Sequence, residues 1–114
     1  MTENLQNKKC VPCESGTKPL TSPEIQNYLK ELKGWVVIED KRIKKTLHFI
    51  DFKHALGFVN EVGDLAEFEG HHPDLNIHNW NNVTVTLSTH ALQGLSENDF
   101  IMAAKIDQIL KDSV

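Results

Sequence analysis

The run Glu67-Phe68-Glu69-Gly70-His71-His72-Pro73, followed by Ser88-Thr89-His90 and then Asp99, can bring three imidazoles and at least one carboxylate to a single site. Histidine is the side chain whose ordinary pKa lies near neutrality, so such a cluster points to proton transfer or to a metal. Gly70 is suited to stop a helix, which puts His71 and His72 just past a helix C-terminus, where partial negative charge favours imidazolium. Glu67, four residues before His71, projects from the last turn toward the pair. Its carboxylate favours the same form and can fix a tautomer. Pro73 keeps the helix from resuming and stiffens the corner. A general acid held in this way contributes ~10²–10⁴-fold in rate. Taken singly, the residues have plainer readings: a solvated helix end for His71 and His72, an exposed strand end for His90, a cap for Asp99. A metal is not expected, because the side chains of adjacent histidines diverge.

The elements that must position these residues follow from periodicity. Ser22-Pro23-Glu24 opens a helix, with Ser22 as cap and Pro23 first inside it. Ile25, Tyr28, Leu29 and Leu32 form its apolar stripe, and Gly34 is placed to end it. Trp35 to Ile38 reads as a short strand, Glu39-Asp40-Lys41 as a turn, and Arg42 to Phe49 as an alternating strand. Asp51 caps a second helix whose apolar residues (Phe52, Ala55, Leu56, Phe58, Val59, Val62, Leu65, Ala66) make a stripe wide enough for burial on more than one side. Leu75 to Trp80 and Val83 to Thr89 form a second strand pair. Ser96-x-x-Asp99 resembles a capping box for a last helix. The order is helix, strand, strand, helix, strand, strand, helix. Short turns favour antiparallel pairing, and three amphipathic helices need one apolar face. The expected fold is α+β, a two-layer sandwich of a four-stranded antiparallel sheet with three helices on one face (αββαββα). It would fill residues 21–114 behind a flexible N-terminal arm, 1–20.

Composition excludes several classes. With 114 residues and a net charge of −4, the chain is one acidic domain, unsuited to nucleic-acid phosphates. No apolar stretch approaches the ~20 residues that cross a bilayer, so no membrane is expected. The N-terminus lacks a hydrophobic signal core, which makes the cytoplasm the default compartment. The basic run Lys41-Arg42-Ile43-Lys44-Lys45 reads as the solvated face and edge of a strand. Cys10-x-x-Cys13 lacks the second pair of a zinc site and the strand–helix context of a redox motif, and reads as an inert reduced tail.

At these residues the chain resembles the pterin-4a-carbinolamine dehydratase family. The likeness is carried by Glu67-x-x-x-His71-His72-Pro73, the aromatic Trp80, Val83 through His90, and Gly94-Leu95-Ser96-x-x-Asp99, with Leu32-x-Gly34-Trp35 ahead of the first strand. It implies the same αββαββα fold and the dehydration of 4a-hydroxytetrahydropterin to quinonoid dihydropterin, a step in tetrahydropterin recycling, with no cofactor and no metal. It implies His71, His72 and His90 as active-site histidines, Glu67 and Asp99 as supporting carboxylates, and Trp35 as a wall of the pterin pocket. Pro73, Ser88 and Thr89 would help to hold the substrate. It further implies a homodimer or homotetramer. The competing expectation is a pterin-binding or protein-interaction module, like a dimerisation cofactor, without significant catalysis.

Overall fold

In the computed structural model, which describes residues 5–10 and 18–112 (the side chain of Asp112 excepted), the elements come in the expected order. They are α1 (Ser22–Leu29), β1 (Val36–Ile38), β2 (Arg42–His48), α2 (Phe52–Glu69), β3 (Asp74–His78), β4 (Asn82–Leu87) and α3 (Glu97–Asp112). Short 3-10 turns at Leu5–Asn7 and His90–Leu92 complete them.

The four strands form one antiparallel sheet in the order β1-β2-β4-β3. Each hairpin turn passes through two consecutive residues in the left-handed region, Glu39 and Asp40 in the first, Asn79 and Trp80 in the second. That handedness matches the twist of the strands it joins. Register puts Val37, Ile43, Val83, Val85, Leu87, Leu75 and Ile77 on one face. These pack with Ile25 of α1, Ala55, Phe58, Val62 and Ala66 of α2, and Phe100, Ile101 and Ile106 of α3 in a single core. Tyr28 stacks on Phe100 at 5.0 Å and so ties α1 to α3. The opposite face is open and carries Asp74, Thr84, Thr86, Lys44 and Arg42. No helix among the described residues is long and apolar enough to cross a membrane.

Four local expectations need correction. First, Thr21 rather than Ser22 caps α1, because the Glu24 carboxylate accepts from the Thr21 amide at 2.9 Å and completes a capping box one residue earlier. Second, α1 ends at Leu29, not at Gly34: amides of Glu31 and Leu32 bond three residues back and tighten the chain into 3-10 turns that still deliver Leu32 to the core. Third, the basic run is not an edge. β2 is internal to the sheet, and Lys45 sits on the helix-facing side, where it pairs with Asp107 at 2.9 Å. Fourth, residues 5–10 of the arm are not loose. Leu5 and Cys10 are buried in the core, and Lys8 pairs with Glu97 at 2.7 Å. Burial first, then the Glu69 charge, push the Cys10 thiol up to about 12, so it stays protonated and a poor nucleophile at neutral pH. Cys13 lies outside the described residues.

Candidate active site

Gly70 ends α2 in the left-handed conformation (φ 70°), and both its amide and that of His71 bond to the Ala66 carbonyl, at 2.8 and 3.3 Å. This reversal separates the two histidines. His71 turns inward: its ring is 12% exposed and Nε2 lies 2.6 Å from Oδ1 of Asp99. His72 turns outward and pairs with Glu67 at 2.5 Å, with both side chains well exposed. Of the pair it was expected to approach, Glu67 therefore meets His72.

Asp99 is fully buried and does two jobs at once. It is the third residue of α3, and its Oδ2 accepts the Ser96 amide at 2.9 Å, which is half of the expected capping box. The same Oδ2 accepts the Thr89 hydroxyl at 2.8 Å. Thr89 Oγ1 lies 2.8 Å from the Ser96 hydroxyl, and because its own hydrogen goes to Asp99, the Ser96 hydroxyl donates to it. Oδ2 thus has two donors, and Oδ1 is left to hold His71, the third. An accepting Oδ1 places the hydrogen on Nε2, so Nδ1 is the nitrogen through which His71 exchanges a proton.

Thr89 links this buried pair to a pocket of about 410 Å³ on the open side of the sheet. His90, in the 3-10 turn after β4, lines it together with Ser88, Thr86 and Asp74. Lys41 and Arg42 complete one wall. Asp74 and Arg42 were not singled out from the sequence. The signal was the strand parity: Asp74 pairs with Thr86 across β3 and β4, and even-numbered residues of β2 and β4 share the open face. Pro73 is half-buried just ahead of Asp74.

Trp35 stands apart from this pocket. It is buried on the helix-facing side of the sheet, and its Nε1 donates to Asp107 of α3 at 3.1 Å. The arrangement joins one oriented, largely enclosed imidazole to a solvent-open imidazole at a polar pocket. His71 does not itself line the pocket, and reaches it through Asp99 and Thr89; the polar lining around His90 suits a small polar molecule.

A family model described as Pterin 4 alpha carbinolamine dehydratase matches residues 18–109. A protein of Alkaliphilus metalliredigens, whose name gives it provisionally as a pterin-4-alpha-carbinolamine dehydratase, is 49% identical over 106 residues, which cover 92% of this chain and 95% of that protein. Among solved structures, a transcriptional coactivator/pterin dehydratase from Brucella melitensis superposes with a TM-score of 0.75 at 35% identity, over 81% of this chain and 98% of that one. A pterin dehydratase-like protein identified as a RuBisCO assembly factor in the alpha-carboxysome shares the fold, with a TM-score of 0.56 at 23% identity, over 67% of this chain and 88% of that one.

Proposed function

Because the chain belongs to the pterin-4-alpha-carbinolamine dehydratase family, we propose that it dehydrates a 4a-hydroxytetrahydropterin by histidine acid–base catalysis. The observation that carries this reading is the His71–Asp99 hydrogen bond, which orients one imidazole; the same Asp99 accepts the hydroxyl of Thr89, which lines the pocket together with a second imidazole, His90. The reaction breaks the C4a–O bond and the N5–H bond. One imidazolium delivers a proton to the departing hydroxyl, which leaves as water. A neutral imidazole takes the N5 proton, and the C4a–N5 bond becomes double, giving the quinonoid dihydropterin. Two proton carriers suffice, so the step calls for no metal or organic cofactor. His71 and His90 are assigned as the pair. His72, exposed and tied to Glu67, is assigned to binding. Ser88 and Arg42 face the same pocket and suit the polar edge of a pterin.

This division of labour predicts a split. His90→Gln should lower the dehydration rate by ~10²-fold or more, as loss of a general acid or base does. His72→Gln should raise KM more than it lowers kcat. Equal effects on kcat from both variants would contradict the assignment.

The competing role draws on the two structural neighbours, one named as a coactivator and the other as an assembly factor. Wild-type protein that binds a pterin without turning it over would favour that role.

Self-association belongs to the same proposal. The wide stripe of α2 divides: Ala55, Phe58, Val62 and Ala66 are buried, whereas Phe52 and Leu56 stay 49% and 40% exposed, and Ile50 just before them is 78% exposed. Apolar side chains left in a row on a helix suit a second copy of the chain. Sedimentation should show a species of at least twice the 12.9 kDa chain mass, shifting to one chain mass in Leu56→Glu. A wild-type monomer contradicts this.

A further inference from the structure

Glu69 is a buried carboxylate for which the proposed chemistry has no use. It lies in the last turn of α2, two residues before His71, with a side chain 1% exposed. Lys105 of α3 donates to its Oε2 at 2.6 Å, and the Cys10 amide donates to its Oε1 at 2.9 Å. The Cys10 thiol in turn lies 3.6 Å from the carbonyl of Asn98, the residue preceding Asp99. One short stretch of chain therefore touches both flanks of the His71–Asp99 pair. Leu5, buried against the core, and the Lys8–Glu97 ion pair hold that stretch in place.

Burial pushes the Glu69 carboxyl up, but the hydrogen bonds from Lys105 and the Cys10 amide, with the Lys105 charge, outweigh it and hold the group below its ordinary value. It is an anion at neutral pH. A buried ion pair is a poor stabiliser compared with apolar packing of the same volume, and its best-attested use is to fix register. Register matters here, because displacing a catalytic group by about 1 Å can cost ~10²-fold in rate.

We propose that Glu69 is a positioning residue: gripped by Lys105 in the middle of α3 and by the amide of Cys10, whose thiol touches Asn98 at the start of that helix, it holds the end of α2 against α3 so that His71 meets Asp99. The kinetic consequence rests on the dehydratase reading; the geometric one does not.

The test uses the full chain and two readouts. In nuclear magnetic resonance, the imidazole signals of His71, assigned by their loss in His71→Gln, report its bond to Asp99. Glu69→Gln and Lys105→Met should each shift those signals and lower kcat by ~10-fold or more, with KM within about twofold. Lys105→Arg, which keeps the pair, should retain both. Asp107→Asn breaks a comparable ion pair between β2 and α3 and should lower the melting temperature without moving either readout. Unmoved His71 signals in both Glu69→Gln and Lys105→Met would overturn the proposal, whatever happens to the melting temperature. If the wild type shows no dehydratase activity but the signals shift, positioning stands and the functional reading fails. If the wild type is active and the signals stay, the reverse holds.

Discussion

His71→Gln is expected to slow dehydration by ~10²–10⁴-fold while the protein melts close to the wild-type temperature. The choice of glutamine follows from Asp99. That carboxylate is fully buried, and His71 is one of three donors around it. Alanine would leave Oδ1 without a partner, at about 1–3 kcal/mol or more for a charged group, and a slow enzyme could then be merely a loosened one. The glutamine amide can still donate to Oδ1, but it exchanges no proton near neutral pH. Rate and stability are thereby separated. Loss of the 4a-adduct followed by stopped-flow absorbance, beside a thermal melt, gives both numbers. A His71→Gln rate within threefold of wild type would place the proton carrier elsewhere.

Asp99→Asn is expected to damage both rate and stability, because one amide cannot replace a carboxylate that accepts on both oxygens. If the amide nitrogen faces His71, Nε2 must become the acceptor, the hydrogen moves to Nδ1, and the exchanging nitrogen is lost. If the amide oxygen faces His71, the nitrogen meets the Ser96 amide, and the start of α3 loses its partner. The helix also loses a negative charge in its first turn, worth about 0.3–1 kcal/mol. Where a carboxylate behind a catalytic imidazole is exchanged for an amide and the tautomer is lost, the cost in kcat is about 10⁴-fold. Here a fall of ~10²-fold or more is expected, with about 1–3 kcal/mol of stability lost to the orphaned donor. Denaturant unfolding and steady-state kinetics on the same preparation check both. Wild-type kinetics in Asp99→Asn would mean that the tautomer of His71 is immaterial.

The element order was legible because each element announces itself locally. Ile25, Tyr28 and Leu29 repeat at helical spacing, Val83, Val85 and Leu87 alternate, and Asp51 and Gly70 stand where a helix needs its cap and its stop. What local pattern cannot carry is pairing at a distance. The β1-β2-β4-β3 order joins β2 to β4 across α2, and this puts Lys45 inside the layer and makes the basic run central. Nor does a polar segment reveal that Leu5 and Cys10 fill the core, since their partners lie about 60 to 90 residues away. The site was half legible. The spacing of Glu67, Gly70, His71 and His72 marked a charged corner, but the left-handed turn at Gly70 decides which histidine faces inward. Asp99 read as a helix cap on its residues and as a catalytic carboxylate only through the family resemblance. Its two oxygens show why the cap does not exclude the contact with His71.

The most direct test is the decay of enzymatically generated 4a-hydroxytetrahydropterin with and without the wild-type protein. Catalytic amounts should accelerate loss of the 4a-adduct well beyond the buffer rate, and His71→Gln and His90→Gln should each remove ~10²-fold or more of that acceleration. Decay at the buffer rate, from wild-type protein shown to bind a pterin, would contradict the dehydratase reading.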